Sequence, residues 1–196
     1  MGKEKYLKDI ESLFKKSPVV NAKSIKMIVV NKKKNVKQYT KQLIRNLILK
    51  GRVKRITKGF YTSYDNISLS VFCFNPAYLG LQDALSFHNL WEQETIPVII
   101  SARKIRPGIR DIMGNNVLIR RLNKKYFFGS DYYKQDDIYL PYSDIEKTLI
   151  DMVYFNERLS NETLKNIKKR ANIKKINLYL KAYPKNFRER VLGMLK

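Results

Sequence analysis

The chain has 196 residues, of which 44% are hydrophobic, and this is enough for one or two domains with a sizeable core. Forty basic residues face seventeen acidic ones, so the formal net charge is +23. An enzyme that acts on a small neutral substrate does not need so strong a positive electrostatic field. The charge therefore favours a polyanionic partner. The single cysteine excludes an intrachain disulfide. Without a signal peptide or a long apolar run, the chain is expected in the cytoplasm.

The positive charge is concentrated in the N-terminal third of the chain. Residues 1–62 contain 18 basic and 3 acidic residues, whereas residues 63–196 contain 22 basic and 14 acidic residues. No acidic residue occurs between Glu11 and Asp65. The distribution therefore predicts a strongly basic N-terminal domain that precedes a more ordinary globular region.

Two helices are predicted before the most basic stretch. The first covers residues 4–16 and ends at Ser17-Pro18, because a residue before proline disfavours the helical conformation. Asn21 can cap the second helix, which is expected to run to about Val30. A short polar connection then leads to a third helix, which begins at Val36.

The third helix is amphipathic, and Gly51 is predicted to end it. Asn35 and Gln38 have the spacing of a capping box at its start. At 100° per residue the inward positions are Val36, Tyr39, Thr40, Leu43, Ile44 and Leu47. The outward positions carry only cations and amides. Ile48 and Leu49 also fall on the outward side, so we expect the hairpin, the first helix or the second domain to cover them.

A basic hairpin follows the third helix. Arg52 to Ile56 and Phe60 to Thr62 are predicted strands, and Lys58-Gly59 is predicted to form the turn between them. Val19-Val20 is predicted as a short strand between the first two helices. The resulting order of helix, short strand, helix, turn, helix and hairpin is that of a winged helix-turn-helix. In such a domain the last helix lies in the DNA major groove.

Candidate DNA contacts follow from the chemistry of these side chains. Arginine can bind guanine with two hydrogen bonds, and glutamine can bind adenine likewise. The base-reading candidates are Lys37, Gln38, Lys41, Gln42 and Arg45. The candidates for contacts with phosphate, or with the minor groove in the hairpin, are Lys32, Lys33, Lys34, Arg52, Lys54, Arg55 and Lys58. RNA is less favoured because stacking aromatics are not interleaved with these cations.

Beyond Asn66 the pattern predicts a mixed α/β domain with a helical C-terminal tail. The predicted strands are 67–75, 97–102, 117–122, 126–128 and 137–140, and the predicted helices are 81–91 and 143–155, followed by two or three short basic helices. Ser143 and Glu146 have capping-box spacing. The fold class is therefore α+β, with a winged helix-turn-helix over 1–66 and a second domain over 67–196.

The second domain offers little that points to catalysis. His88 lies on the apolar side of its helix, which is typical of a structural, hydrogen-bonded histidine. One cysteine and one histidine cannot supply four zinc ligands, and no phosphate-binding loop occurs, so no metal or cofactor is expected. Structural roles are also favoured for Glu146 at a helix N-terminus and for Asp151 in an ion pair with Lys147.

The catalytic alternative is a DNA-targeted, magnesium-dependent nuclease. Its metal ligands would come from a group of carboxylates in the second domain, with Lys147 beside them. These carboxylates are Asp131, Asp136, Asp137, Asp144, Glu146 and Asp151. Their spacing is weak support for a shared metal site.

The chain resembles the AbiEi family of antitoxin-type transcriptional regulators over about residues 5–155. The residues that carry the resemblance are Gly51-Arg52-Val53-Lys54-Arg55 with Lys58-Gly59-Phe60-Tyr61, then Ala84-Leu85-Ser86-Phe87-His88, then Glu146-Lys147-Thr148-Leu149-Ile150-Asp151. The resemblance implies a winged helix that represses its own operon and a C-terminal domain that supports repression and antitoxicity. It also implies a nucleotidyltransferase-like toxin, neutralised without need of a stable complex, and a link to phage defence.

These observations predict a non-enzymatic, sequence-specific repressor that binds double-stranded DNA. It would autoregulate a toxin–antitoxin operon and act as the antitoxin. Because operators usually have two half-sites, a homodimer on DNA is expected. A non-specific DNA-coating protein is the remaining alternative, and it would show no preferred site.

Overall fold

The protein has an α+β fold with helices at its C-terminal end. The computed structural model describes residues 6–29 and 35–195. The chain forms two compact units, Met1–Cys73 with Asp111–Asn115, and Phe74–Arg110 with Asn116–Lys196. The main division therefore follows Cys73, whereas the sequence predicts a boundary after Asn66. Within the described ranges, every helix is too short or too polar to cross a membrane.

The first unit combines three helices with a three-stranded antiparallel sheet. Its elements are α1 (Leu7–Lys16), β1 (Val20–Asn21), α2 (Ala22–Val29), α3 (Val36–Leu49), β2 (Lys54–Thr57) and β3 (Phe60–Thr62). The strand order in the sheet is β1-β3-β2. This is the element order that the sequence predicts. The predicted end of the second helix at Val30 lies outside the described residues.

The ends of the helices follow from local hydrogen bonds. Asn21 caps α2 as predicted, because its side-chain oxygen accepts a bond from the Ser24 backbone N–H at 2.9 Å. The capping box predicted for α3 does not form. Among the described atoms the Asn35 side chain makes no cap to the backbone, and its amide donates to the Gln38 side-chain oxygen at 3.2 Å. Gly51, with a φ of +66°, follows α3 as predicted.

The apolar faces of the three helices form one core in the first unit. Its buried residues are Tyr6, Ile10, Phe14, Val20, Ile25, Val29, Leu43, Ile44, Leu47 and Val53. The inward positions predicted for α3 are confirmed, since the apolar ones lie in this core or pack against it. Thr40 is also buried, and its hydroxyl donates to the Val36 carbonyl oxygen at 2.7 Å. The opposite side of α3 is thereby turned to solvent.

The second unit is built on a mixed six-stranded sheet with helices against it. Its elements are β4 (Ala77–Leu79), α4 (Leu81–Phe87), β5 (Val98–Ser101), β6 (Gly108–Ile112), β7 (Asn115–Arg121), β8 (Ser130–Gln135), β9 (Ile138–Ser143), α5 (Ile145–Tyr154), α6 (Asn161–Arg170), α7 (Ile173–Leu180) and α8 (Lys185–Leu195), except that the end of β6 and the first residue of β7 fall within Asp111–Asn115. The strand order is β6-β7-β5-β4-β9-β8. Strands β4 and β9 are parallel, as are β5 and β7.

Several predictions for this region are wrong. Ile67–Phe74 is a 3-10 helix instead of a strand, and residues 126–128 contain the end of a 3-10 helix over Lys124–Tyr126. The helix predicted to reach residue 91 ends at Phe87. Strands β4, β6 and β8 were not predicted. A short, uniformly apolar run has no period that separates a strand from a helical turn, and β6 and β8 are mostly exposed.

Helix α5 begins at Ile145, two residues after the start of the predicted range, and Asp144 is its N-cap in place of Ser143. The Asp144 carboxylate accepts a hydrogen bond from the Lys147 backbone N–H at 2.7 Å. It also accepts one from the Tyr179 hydroxyl at 2.8 Å. The Ser143 hydroxyl instead lies 2.8 Å from the Thr148 hydroxyl. An aspartate is an equally good cap, so the capping-box spacing alone could not distinguish the two.

Lys147 and Asp151 form an ion pair inside the second unit, with both side chains fully buried. Asp151 also accepts a hydrogen bond from the Tyr78 hydroxyl at 2.6 Å. Burial lowers the pKa of Lys147 and raises the pKa of Asp151, and their attraction opposes both shifts. Gly129 allows this packing, since a Cβ at that position would lie 2.8 Å from the Lys147 Cβ. The predicted helical ion pair is confirmed.

Removal of one partner of this pair should destabilise the protein strongly. We expect Asp151→Ala to reduce the free energy of unfolding by about 3–5 kcal/mol, because the Lys147 ammonium stays buried without its partner. The double variant Lys147→Met, Asp151→Leu should be more stable than Asp151→Ala. Urea denaturation measures both. Glu189→Ala is the control, because it breaks an exposed pair with Lys185 and should change little. Equal stability of Asp151→Ala and wild type would contradict the prediction.

Asp83 in α4 should make stability depend on pH. Its carboxylate accepts a hydrogen bond from the Val98 backbone N–H at 3.2 Å, and desolvation raises its pKa to about 7. The folded state therefore binds this proton more tightly than the unfolded state does. The stabilisation that this tighter binding gives the folded state is complete below about pH 4, the pKa of an aspartate in the unfolded chain. It is lost as the pH rises to about 7.

We expect the free energy of unfolding of the wild type to decline over this pH range, and we expect Asp83→Asn to show no such decline. The measurement is the free energy of unfolding in urea at steps between about pH 4 and pH 8. Asp137→Asn, which removes an exposed carboxylate, is the matched control and should follow the wild type. A decline of the same size in Asp83→Asn would assign the pH dependence to other groups.

Candidate nucleic-acid interface

The outward face of α3 is exposed as predicted. The exposed side chains are Lys37, Gln38, Lys41, Gln42 and Arg45. Gln38 accepts a hydrogen bond from Asn35, and Gln42 donates one to Asn46 at 3.3 Å. Both bonds are solvent-exposed and join neighbours on the same helix, so they can be exchanged for bonds to a ligand at small cost.

A groove of about 550 Å³ lies beside this face. Its walls come from α2, α3 and the β2–β3 hairpin, and we refer to it as the α3 groove. The cations that line it are Lys23, Lys26, Lys37, Lys41, Arg45, Arg55 and Lys58, hereafter the groove cations. The other lining residues are Ala22, Thr40, Ile44, Ile48, Leu49, Gly59 and Tyr61. The groove thus combines an apolar lining with seven positive charges.

The groove cations have no acidic partner in the described part of the chain. Every ion pair found there involves other lysines and arginines. Five of the seven were predicted as DNA contacts. Lys23 and Lys26 were not predicted, although both lie at exposed positions of α2 within the stretch that lacks acidic residues. The accumulated positive potential favours an anionic ligand.

Two predicted phosphate contacts differ from the groove cations. Arg52 pairs with Glu11 at 2.5 Å, and Lys54 pairs with Asp65 at 2.8 Å. Neither basic residue lines the groove. Exposed pairs of this kind are weak, but their charge is already partly compensated. The predicted contacts Lys32, Lys33 and Lys34 lie outside the described residues.

The position of the hairpin beside α2 is fixed by backbone bonds. The backbone N–H of Ala22 donates to the Gly59 carbonyl oxygen at 2.8 Å, and β1 pairs with β3 so that Val20 lies opposite Tyr61. Gly59 has a φ of +85°, a left-handed conformation that favours glycine. These bonds hold the hairpin turn, with Lys58, against the start of α2.

The prediction that Ile48 and Leu49 are covered is wrong. Their side chains are 38% and 73% exposed, whereas Leu47 is 2% exposed. Leu47 occupies the inward position of the last turn of α3, and the next two residues are rotated about 100° and 200° away from it. The last turn of α3 therefore adds two aliphatic side chains to the lining of the groove.

Four residues of the alternative nuclease site have structural bonds in the second unit. Lys147 and Asp151 are buried in their mutual ion pair. The carboxylate of Glu146 accepts a hydrogen bond from the Asn172 backbone N–H at 2.7 Å, and Lys175 lies 3.1 Å from the Asp144 carboxylate. Over residues 6–29 and 35–195, no group of three or more potential ligands is arranged to hold a metal ion.

The predicted structural role of His88 agrees with its hydrogen bond. Its Nε2 donates to the Ser143 carbonyl oxygen at 2.7 Å. Burial lowers the pKa of the imidazole, which favours the neutral form at physiological pH. This bond joins the end of α4 to the end of β9 within the second unit.

Comparisons with known proteins add information on the fold alone. No protein-family model matches the chain, and no curated protein matches it either. Among solved structures, the chain is similar to the Rv2827c protein from Mycobacterium tuberculosis, with a TM-score of 0.60 and 11% sequence identity. The alignment covers 95% of this chain and 74% of that one. A likeness at this identity concerns the arrangement of elements and does not extend to function.

The exposure of the last turn of α3 can be tested with a matched pair of leucines. We expect Leu47→Ala to reduce the free energy of unfolding by about 2–5 kcal/mol, because it leaves a cavity in the core. Leu49→Ala should change it by less than about 0.5 kcal/mol. Urea denaturation of both variants gives the comparison. A loss in Leu49→Ala as large as that in Leu47→Ala would mean that Leu49 is covered.

Proposed function

We propose that the protein is a double-stranded DNA-binding repressor of the winged helix-turn-helix class. In this proposal α3 lies in the major groove and the β2–β3 hairpin contacts the flanking backbone. The single observation that carries the proposal is the convergence on α2, α3 and the hairpin of seven cations that have no acidic partner among the described residues. A charge set of this size, spread over three elements, suits a row of phosphates better than one small anion.

Each class of side chain has a distinct role in the proposed complex. Arg45 lies on the outward side of α3, where a guanidinium can bind the O6 and N7 atoms of guanine. Lys58 and Arg55 of the hairpin, with Lys23 and Lys26 of α2, would bind phosphates and set the register. The contacts of Gln38 and Gln42 with their helix neighbours are exposed, so these amides are free to exchange them for adenine.

We further propose that the protein autoregulates a toxin–antitoxin operon in the cytoplasm and acts as the antitoxin. This role is supported by the resemblance of the hairpin, the α4 segment and the α5 segment to the AbiEi family. The partners would be an operator with two half-sites, a second copy of the chain on that DNA, and a nucleotidyltransferase-like toxin.

Selection of bound fragments from the host genome tests the repressor function. We expect enrichment of a short site upstream of the gene for this protein, beside a reading frame for a nucleotidyltransferase-like protein. A DNA-coating protein would enrich no site. Uniform recovery of all genomic fragments would therefore overturn sequence-specific repression while leaving general DNA binding intact.

Substitution of Arg45 should separate base reading from phosphate binding once a site is known. Arg45→Ala should cost about 1–3 kcal/mol on the preferred site and relax the preference at one base pair. Lys58→Ala is the matched control, because loss of a phosphate contact should weaken all sequences alike. It should also lower the slope of log affinity against log salt by about one.

Binding isotherms on the preferred site and on single-base variants, at several salt concentrations, provide these numbers. If Arg45→Ala weakens every sequence by the same factor, Arg45 contacts the backbone. An unchanged salt slope in Lys58→Ala would remove Lys58 from the phosphate contacts.

A further inference from the structure

We propose that the α3 groove is also a docking site for an acidic amphipathic helix of a partner protein. The proposal deepens the proposed function, because a helix in this groove would use the cations assigned to DNA. Its basis is the combination of an apolar lining with groove cations contributed by α2, α3 and the hairpin. The apolar lining would contact the apolar face of the helix, and the groove cations would contact its acidic flanks.

The apolar lining favours an occupant that has apolar side chains. Ile48 and Leu49 are 38% and 73% exposed, and they lie beside Ile44 in the groove. Burial of such surface contributes roughly 25 cal/mol per Å². Phosphates and sugars of a DNA backbone provide little aliphatic surface in return, and thymine methyl groups provide only isolated contacts. A helix with apolar anchors covers this lining better.

The dimensions of the groove fit a helix of a few turns. From Lys37 to Leu49 the wall formed by α3 is roughly 18 Å long, at 1.5 Å per residue. Ile44 and Ile48 are one turn apart on α3, which is the spacing at which an apposed helix presents apolar anchors.

The charges define the flanks of that helix. Lys37, Lys41 and Arg45 lie along α3, while Lys23 and Lys26 on α2 and the two hairpin cations line the groove from the other elements. Among described residues none of these cations is paired with an acid. Glutamates or aspartates on both sides of an apolar stripe would meet cations on both sides of the groove. A basic amphipathic helix would be repelled, and a neutral one would leave these cations without partners.

Docking of such a helix would exclude DNA from α3. The same lysines and arginines cannot bind carboxylates and phosphates at once, so the two ligands compete. Expression of the acidic partner would then release the operator by mass action, without a conformational change in the repressor.

The test uses two labelled peptides of about 20 residues, long enough to form a helix. The first carries leucines at i, i+4, i+7 and i+11 with glutamates on both flanks, and the second has each leucine replaced by glutamine. Their charges are therefore identical. Fluorescence anisotropy measures binding to the full chain, and an unlabelled DNA duplex serves as competitor. We expect the leucine peptide to bind at least about tenfold more tightly and to be displaced by the duplex.

Variants of the groove identify the docking surface. Leu49→Gln should weaken the leucine peptide about tenfold and leave duplex affinity unchanged, and Ile48→Gln provides a second variant with the same expectation. Urea denaturation shows that each variant is folded. Lys185→Gln, which alters an exposed cation of the second unit, should affect neither ligand.

Equal affinity for the two peptides would overturn the proposal, because charge alone would then explain binding. Equal weakening of peptide and duplex by Leu49→Gln would also overturn it, since Leu49 would then be a DNA contact. Failure of the wild type to bind any duplex would instead overturn the proposed function. In that case leucine-dependent peptide binding that is lost in Leu49→Gln would still support the docking site.

Discussion

The pairing of the hairpin with β1 is the contact on which the basic surface depends. One hydrogen bond, from the Ala22 N–H to the Gly59 carbonyl oxygen at 2.8 Å, joins the first residue of α2 to the hairpin turn. Next to it, Val20 and Tyr61 are paired across β1 and β3. Without these bonds the hairpin cations would be carried by an isolated two-stranded ribbon, which is marginally stable in water. With them, three elements present their charges to one groove.

This arrangement of charges destabilises the first unit electrostatically. The groove cations repel one another, and no acid in the described residues offsets them. Salt screens such repulsion over about 8–10 Å, and the core under α1, α2 and α3 opposes the remainder. A polyanion that enters the groove removes the repulsion and gains counterion release. The free protein is therefore less stable than a fold with compensated charges. Because a bound anion relieves this repulsion, the lost stability contributes to the affinity for the anion.

Periodicity accounts for most of what the sequence predicted correctly. A long amphipathic helix such as α3 repeats its apolar side chains every three or four residues, so its faces could be assigned from the sequence. The groove could not be, because it depends on where β1 brings the hairpin relative to α2, a contact between distant residues. Lys23 and Lys26 were missed for this reason. Ile48 and Leu49 were misjudged because an apolar residue was assumed to need cover, whereas the last turn of α3 extends beyond the core.

The charged residues around α5 in the second unit contrast with the groove cations of the first unit. In the second unit, Lys147 and Asp151 are buried and bonded to each other, and Asp151 also accepts a hydrogen bond from Tyr78. The carboxylates of Asp144 and Glu146 accept hydrogen bonds from backbone N–H groups. Buried charges that are paired with all their bonds made have little left to offer a ligand. The residues of α5 from Glu146 to Asp151 thus help to hold the second unit together. The groove cations on α2, α3 and the hairpin, by contrast, have no acidic partner among the described residues and line one groove, where an anionic ligand can bind several of them at once.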